Sequence, residues 1–127
     1  MATERTAQNV TEAIDELLPA LEKLGFSLEE QAKVFGFMQP IGQNRDSLKR
    51  QLRDLGGHEF LVARCDSLYQ INDQLTKIFD GDVEKIKRWI RVRQPEFMLE
   101  SVYSLLVSGK PENIILVFDI LARARTA

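Results

Sequence analysis

The sequence predicts an all-α protein of six to seven short helices, and three observations carry that expectation. Apolar residues recur at helical spacing along most of the 127 residues. Glycines and prolines fall where those runs stop. No stretch combines sustained apolar/polar alternation with hairpin turn chemistry, so a sheet is not expected.

Val10, Ile14, Leu17, Leu18, Leu21 and Leu24 share one helical face, and Gly25 ends the run. Pro19 lies inside it and predicts a kink or a break, because proline has no amide to donate. Ser27 with Glu30 forms a capping box that starts a second helix through Phe35, closed by Gly36. Residues 38–43 contain Pro40 and Gly42 and read as a loop. A third helix from Asn44 to Leu55 has Leu48, Leu52 and Leu55 on its inner face, and Gly56-Gly57 stops it.

A long fourth helix carries Leu61, Cys65, Leu68, Tyr69, Leu75, Ile78 and Phe79, and Asp80-Gly81-Asp82 ends it. The Asp82 carboxylate is placed to cap a fifth helix whose Val83, Ile86 and Ile90 face inward and which Pro95 terminates. Met98, Val102, Leu105 and Leu106 define a sixth helix, ended by Gly109. Pro111 occupies a first-turn position ahead of Ile114, Phe118 and Leu121. The seam at Asp80-Gly81-Asp82 divides the chain into a helical segment, 1–79, and a compact three-helix lobe, 80–127.

Composition removes several function classes. The chain is 44% hydrophobic and 28% charged, with a formal net charge of −2, and contains one cysteine (Cys65) and one histidine (His58). These two cannot supply a zinc site or an internal disulfide, which excludes a zinc finger, a metal hydrolase and a disulfide scaffold; no cofactor is expected. Apolar groups are short and broken by charge, unlike the ~20 residues of a membrane span. The start MATERTAQN lacks the apolar stretch of a signal peptide, so a cytoplasmic location is expected.

The charge is unevenly distributed. Residues 1–31 carry −5, 32–58 carry +3, 59–84 carry −4, 85–93 carry +5 and 94–127 carry −1. The two positive islands are where recognition of a partner is sought first.

Signs of enzymatic chemistry are few. His58 follows Gly56-Gly57 at a helix start, Cys65 falls on an inward stripe, and Ser108-Gly109-Lys110 lacks the frame of a phosphate loop. Glu29 and Glu30 suit the first turn of a helix without a catalytic role. The segment 85–93 is more informative. Lys87, Arg88 and Arg91 gather on one side and Val83, Ile86 and Ile90 on another, with Trp89 at the border. Such a helix presents arginines to an acidic partner or a phosphate backbone, or lies on an anionic membrane. Alternatively, Trp89 anchors the local core and the cations form a solvated face. Arg45, Lys49 and Arg53, with Arg50 beside them, line the third helix and either meet DNA phosphates or flank the leucine stripe as ordinary surface charge.

Residues 79–125 resemble the C-terminal, toxin-binding domain of the Xre/MbcA/ParS-like antitoxin family. The resemblance rests on Phe79-Asp80-Gly81-Asp82, Arg88-Trp89-Ile90-Arg91, Pro95, the stretch Ser101 to Gly109, and Val117 to Leu121, in that order. Leu24-Gly25-Phe26-Ser27, Ala32 and Gly36-Phe37 are similar to the start of the family's Xre-like helix-turn-helix. Two departures stand out. Pro40 and Gly42 occupy the place where a recognition helix begins, so that such a helix is either displaced to 44–55 or lost. The Gly-Gly and proline that family members carry after the Pro95-like residue are replaced by Glu96-Phe97-Met98-Leu99-Glu100-Ser101.

The resemblance implies a non-enzymatic antitoxin that neutralises a cognate NAD-consuming toxin of the RES type, forms a homodimer and represses its own operon. It assigns Arg88, Trp89, Arg91, Arg93, Arg123 and Arg125 to the toxin, and Arg45, Lys49, Arg50 and Arg53 to operator DNA. The alternative is a DNA-binding regulator or adaptor without a toxin partner.

Overall fold

Helix ends are set by local chemistry that the sequence displays openly. In the computed structural model, which describes residues 10–37, 44–54 and 59–126, the elements are α1 (Val10–Lys23), α2 (Leu28–Val34), α3 (Arg45–Asp54), α4 (Glu59–Ile78), α5 (Val83–Trp89), a 3₁₀ turn (Pro95–Phe97), α6 (Val102–Val107) and α7 (Pro111–Thr126). The described residues form no strand, only an isolated antiparallel bridge between Gln94 and Glu100.

The Ser27 hydroxyl accepts the Glu30 amide at 3.1 Å, and the Glu30 carboxylate accepts the Ser27 amide at 2.9 Å. This is the reciprocal capping box, and it satisfies two amides that helix geometry leaves open. Asn44 caps α3 by accepting the Ser47 amide, Asp82 caps α5 by accepting Lys85, and Ser101 caps α6 by accepting Ser104. Past the end of α1, Gly25 takes φ +91°. The Phe26 amide there donates to Leu21 and the Gly25 amide to Glu22, closing the helix in a Schellman motif.

Of the kink or break expected at Pro19, a break does not occur: α1 runs continuously from Val10 to Lys23. Proline removes one intrahelical bond, whereas Ile14, Leu17, Leu18 and Leu21 are all buried along the same helix. Burial of each such side chain is worth about 1.5–3 kcal/mol, so packing outweighs the local defect.

The central element is α4. Its buried stripe, Leu61, Cys65, Leu68, Ile71 and Leu75, packs between α1 on one side and α7 on the other. α3 rests on α1 through Leu48 and Leu52, and α2 pairs with α6. The buried apolar residues form one cluster that includes Ile86, Ile90, Phe97, Val102 and Val117 from beyond Asp80. The turn at Asp80-Gly81 therefore joins two parts of a continuous core.

The sixth helix differs from expectation. Met98 has a left-handed φ of +57° and lies outside α6, which starts at Val102. Ser101 is the stronger start signal, and Met98 only coincides with the spacing of Val102, Leu105 and Leu106. Ile78, at the end of α4, is exposed. Residues 38–43, with Pro40 and Gly42, and 55–58, with Gly56, Gly57 and His58, lie outside the described residues.

Candidate interaction surface

Seven residues make α5, too few to be stable alone. Ile86 and Ile90 are buried and hold it in place. Trp89 is half-buried. Its ring lies 5.7 Å from Phe79 at the end of α4 and 6.2 Å, edge-on, from Phe97 in the 3₁₀ turn. Edge-to-face and tilted rings at these separations attract beyond simple burial. Trp89 thus brackets α5 between two neighbouring elements.

Arg91 is also built into the fold. Its guanidinium sits 4.3 Å over the Tyr103 ring, and its Nη1 donates to the Lys87 carbonyl at 2.8 Å. A Cβ at Gly25 would come within 2.7 Å of Arg91 Nη2 and 3.1 Å of Lys87 Cε, so these cations lie over the end of α1. Cations near a helix C-terminus are favoured by its dipole.

Tyr103 completes this junction: its ring lies 4.8 Å from that of Phe26 at a tilt of 42°, its amide donates to Ile90, and its hydroxyl donates to Glu30 Oε2. Burial alone would raise the Glu30 pKa. The bonds from Tyr103 and Ser27, together with the Arg91 charge, overcome that and hold the carboxylate below its ordinary value. Burial, then the bond to Glu30 and its charge, push the Tyr103 phenol up.

Arg88, Val92 and Arg93 are exposed, and no ion pair holds either arginine among the described residues. Residues 94–100 then close a tight loop. The Gln94 amide donates to Glu100, the Phe97 and Leu99 amides both donate to Gln94, the Met98 amide to Pro95 and the Glu100 amide to Phe97. Phe97 points into the core at 1% exposure, while Met98 and Leu99 stand out at 79% and 66%. Both have positive φ, +57° and +66°, where side chains are disfavoured.

The residues expected to meet a partner are therefore divided. Arg88, Arg91 and Arg93 are all exposed, Arg91 while also engaging the Tyr103 ring; Trp89 is half-buried between Phe79 and Phe97, and Arg123 is exposed on α7 and engaged with a neighbour. The Arg125 side chain lies outside the described residues. The sequence reading places Met98 on the sixth helix and does not single out Val92 or Leu99. The signal of Met98 and Leu99 is an apolar pair directly after Phe97 and flanked by Glu96 and Glu100, which is unusual for a helix face.

On α3, Lys49 Nζ pairs with Asp15 Oδ1 of α1 at 2.8 Å, and Arg50 is exposed. The side chains of Arg45 and Arg53 lie outside the described residues. Neighbouring α1 exposes Glu12, Asp15 and Glu16, which places carboxylates on the helix that carries α3.

Cys65 is buried, and burial pushes its thiol up to about 12, which keeps it protonated and unreactive. No group of histidine, cysteine and carboxylates among the described residues is placed to hold a metal ion. No described helix is long and apolar enough to cross a membrane. No protein-family model matches the chain, and no characterised protein matches it.

Proposed function

We propose that this protein is a non-enzymatic interaction protein of the antitoxin type, which binds and neutralises a cognate RES-type, NAD-consuming toxin through the end of α5 and the segment that follows it. The reading rests on the resemblance of residues 79–125 to the Xre/MbcA/ParS-like family. One structural observation supports it: Arg88 and Arg93 stand exposed and without an ion pair among the described residues, on either side of an exposed Val92, while Trp89 and Arg91 fix the backbone that carries them. Charged groups held on a rigid support lose little freedom on binding and steer an acidic partner toward the surface. Repression of an operator through α3 has less to rest on, since Lys49 is already paired with Asp15.

Co-expression with the product of the adjacent gene tests the reading. The neighbour is expected to arrest growth alone and to be neutralised by this protein. The double variant Arg88→Glu/Arg93→Glu is expected to lose neutralisation and co-purification while keeping its melting temperature. A neighbour that is harmless alone, or one neutralised equally by the variant, would overturn it.

A further inference from the structure

We infer that the groove between α4 and α7 is a binding site for a small monocarboxylic acid with a short apolar tail, its carboxylate held by Arg64 and Ser67 and its tail laid against Ile114 and Ile115. This goes beyond the toxin-binding reading and does not rest on it.

Arg64 and Ser67 stand one turn apart on α4 with Ala63 beside them, and α7 supplies Pro111, Ile114 and Ile115 as the other wall. Nη1 of Arg64 donates to the Val34 carbonyl at 3.1 Å and to the Gly109 carbonyl at 2.9 Å. These two bonds hold the side chain in place. They leave the N–H groups of Nε and Nη2, which lie side by side along one edge of the guanidinium. A Cβ at Gly36 would stand 3.2 Å from Cζ, 3.2 Å from Nη2 and 3.6 Å from Nε. Because Cζ is as near as either nitrogen, Gly36 covers a face of the group and not that edge.

Among the described residues no ion pair and no further hydrogen bond takes up the edge, and the half-buried Ser67 hydroxyl is likewise uncommitted. Burial lowers the Arg64 pKa, and no carboxylate is among the groups that counter it. The groove therefore carries a partly desolvated positive charge that lacks a counter-ion.

The free donors and the lining together select the ligand. Two parallel N–H groups match the two oxygens of a carboxylate, and the serine hydroxyl is a third donor. A phosphate suits the same fork, but Ala63, Pro111, Ile114 and Ile115 offer nothing to its remaining oxygens. The end of a peptide chain brings amides that this lining cannot pair. A plain hydrocarbon tail brings neither burden. The groove holds about 100 Å3. A cavity of about 150 Å3 takes a benzene molecule, so a tail of about four to six carbons fits here.

Titration of the full chain with sodium hexanoate, followed by proton–nitrogen and methyl correlation spectra, is the test. A saturable downfield shift of the Arg64 Nε–H is expected, together with shifts of the Ile114 and Ile115 methyls. Hexanamide keeps the tail and loses the charge, and is expected to bind about 10-fold more weakly. Ser67→Ala is expected to weaken hexanoate by about five-fold. Ile115→Glu is expected to abolish binding at an unchanged melting temperature, since Ile115 is 52% exposed. Both variants leave Arg64 and its two carbonyls in place, so the loss of binding is not a loss of fold. An Arg64 Nε–H that hexanoate leaves unmoved overturns the inference, as does hexanamide binding equally well or hexanoate binding undiminished in Ile115→Glu. Inorganic phosphate that matches hexanoate in affinity and in the Nε–H shift overturns it in favour of a general anion site. A leucine-terminated tripeptide that binds more tightly than hexanoate overturns it in favour of the chain end of another protein.

Discussion

Alanine at Gly109 tests how tightly α2 is held against the turn between α6 and α7. Gly109 has φ +71°, and a Cβ built there would lie 2.5 Å from the Lys33 backbone carbonyl. Gly81 has nearly the same backbone, φ +76°, with no atom within 4 Å of its Cβ position. The pair separates two effects. Left-handed backbone costs a residue with a Cβ about 1 kcal/mol at both sites. Only at Gly109 must a main-chain atom move, because no rotamer can relieve a contact with a carbonyl oxygen. That carbonyl belongs to the last turn of α2, where Arg64 Nη1 bridges the Val34 carbonyl at 3.1 Å and the Gly109 carbonyl at 2.9 Å. Displacing one of these charged hydrogen bonds adds about 2 kcal/mol. Gly109→Ala should therefore lose about 3 kcal/mol and Gly81→Ala about 1 kcal/mol. With an unfolding entropy of about 2.1 cal/mol/K per residue, thermal melts should fall by about 11 °C and about 4 °C respectively. Calorimetry reads both directly. Equal losses for the two variants would refute the close approach at Gly109.

Arg64→Met should lower stability by about 2–4 kcal/mol in urea melts, because it leaves two carbonyls without their donor, and Arg64→Lys should recover only part of the loss. The Glu30 carboxyl is held below its unfolded value, so its contribution is present above the unfolded pKa and disappears as pH falls through the folded one. Melting temperature should thus drop on acidification below the ordinary glutamate range, and Glu30→Gln should flatten that limb. Tyr103, pushed up, gives the opposite limb: stability present at neutrality declines as pH rises past the ordinary tyrosine value, and Tyr103→Phe removes that decline. Cys65 should resist alkylation in the native protein and react only as the chain unfolds, so its labelling rate should rise in step with denaturant.

Much of the architecture was legible because helix ends are local. Ser27 and Glu30, Asp82, and Gly25 each act within a few residues, and each was read from spacing alone. Pro19 does not break α1 for the complementary reason: its local defect is outweighed by contacts with helices far along the chain. Met98 matched the helical stripe of Val102 and Leu105 in register, and only the hydrogen bonds of residues 94–100 reveal that the chain has not yet entered the helix. The candidate surface was partly legible. The cationic segment 85–93 is visible, but which of its exposed arginines is engaged by the fold depends on Tyr103, Gly25 and Glu30, all distant in sequence. Arg64 gave no signal, since a single arginine on a helix does not announce the two carbonyls it will meet.

Glu30 accepts at both oxygens, one from the amide of its own N-cap residue and one from the hydroxyl of Tyr103 on α6. The same carboxylate therefore ends one helix and fastens another. The first turn of α2 cannot fray without releasing α6, and α6 cannot swing away without unpinning that turn. In hydrogen exchange the amides of Ser27, Glu30 and Tyr103 should open as one cooperative unit, although 73 residues separate Glu30 from Tyr103. Substitutions at Ser27 and Tyr103 should then be non-additive, each weakening the position the other depends on.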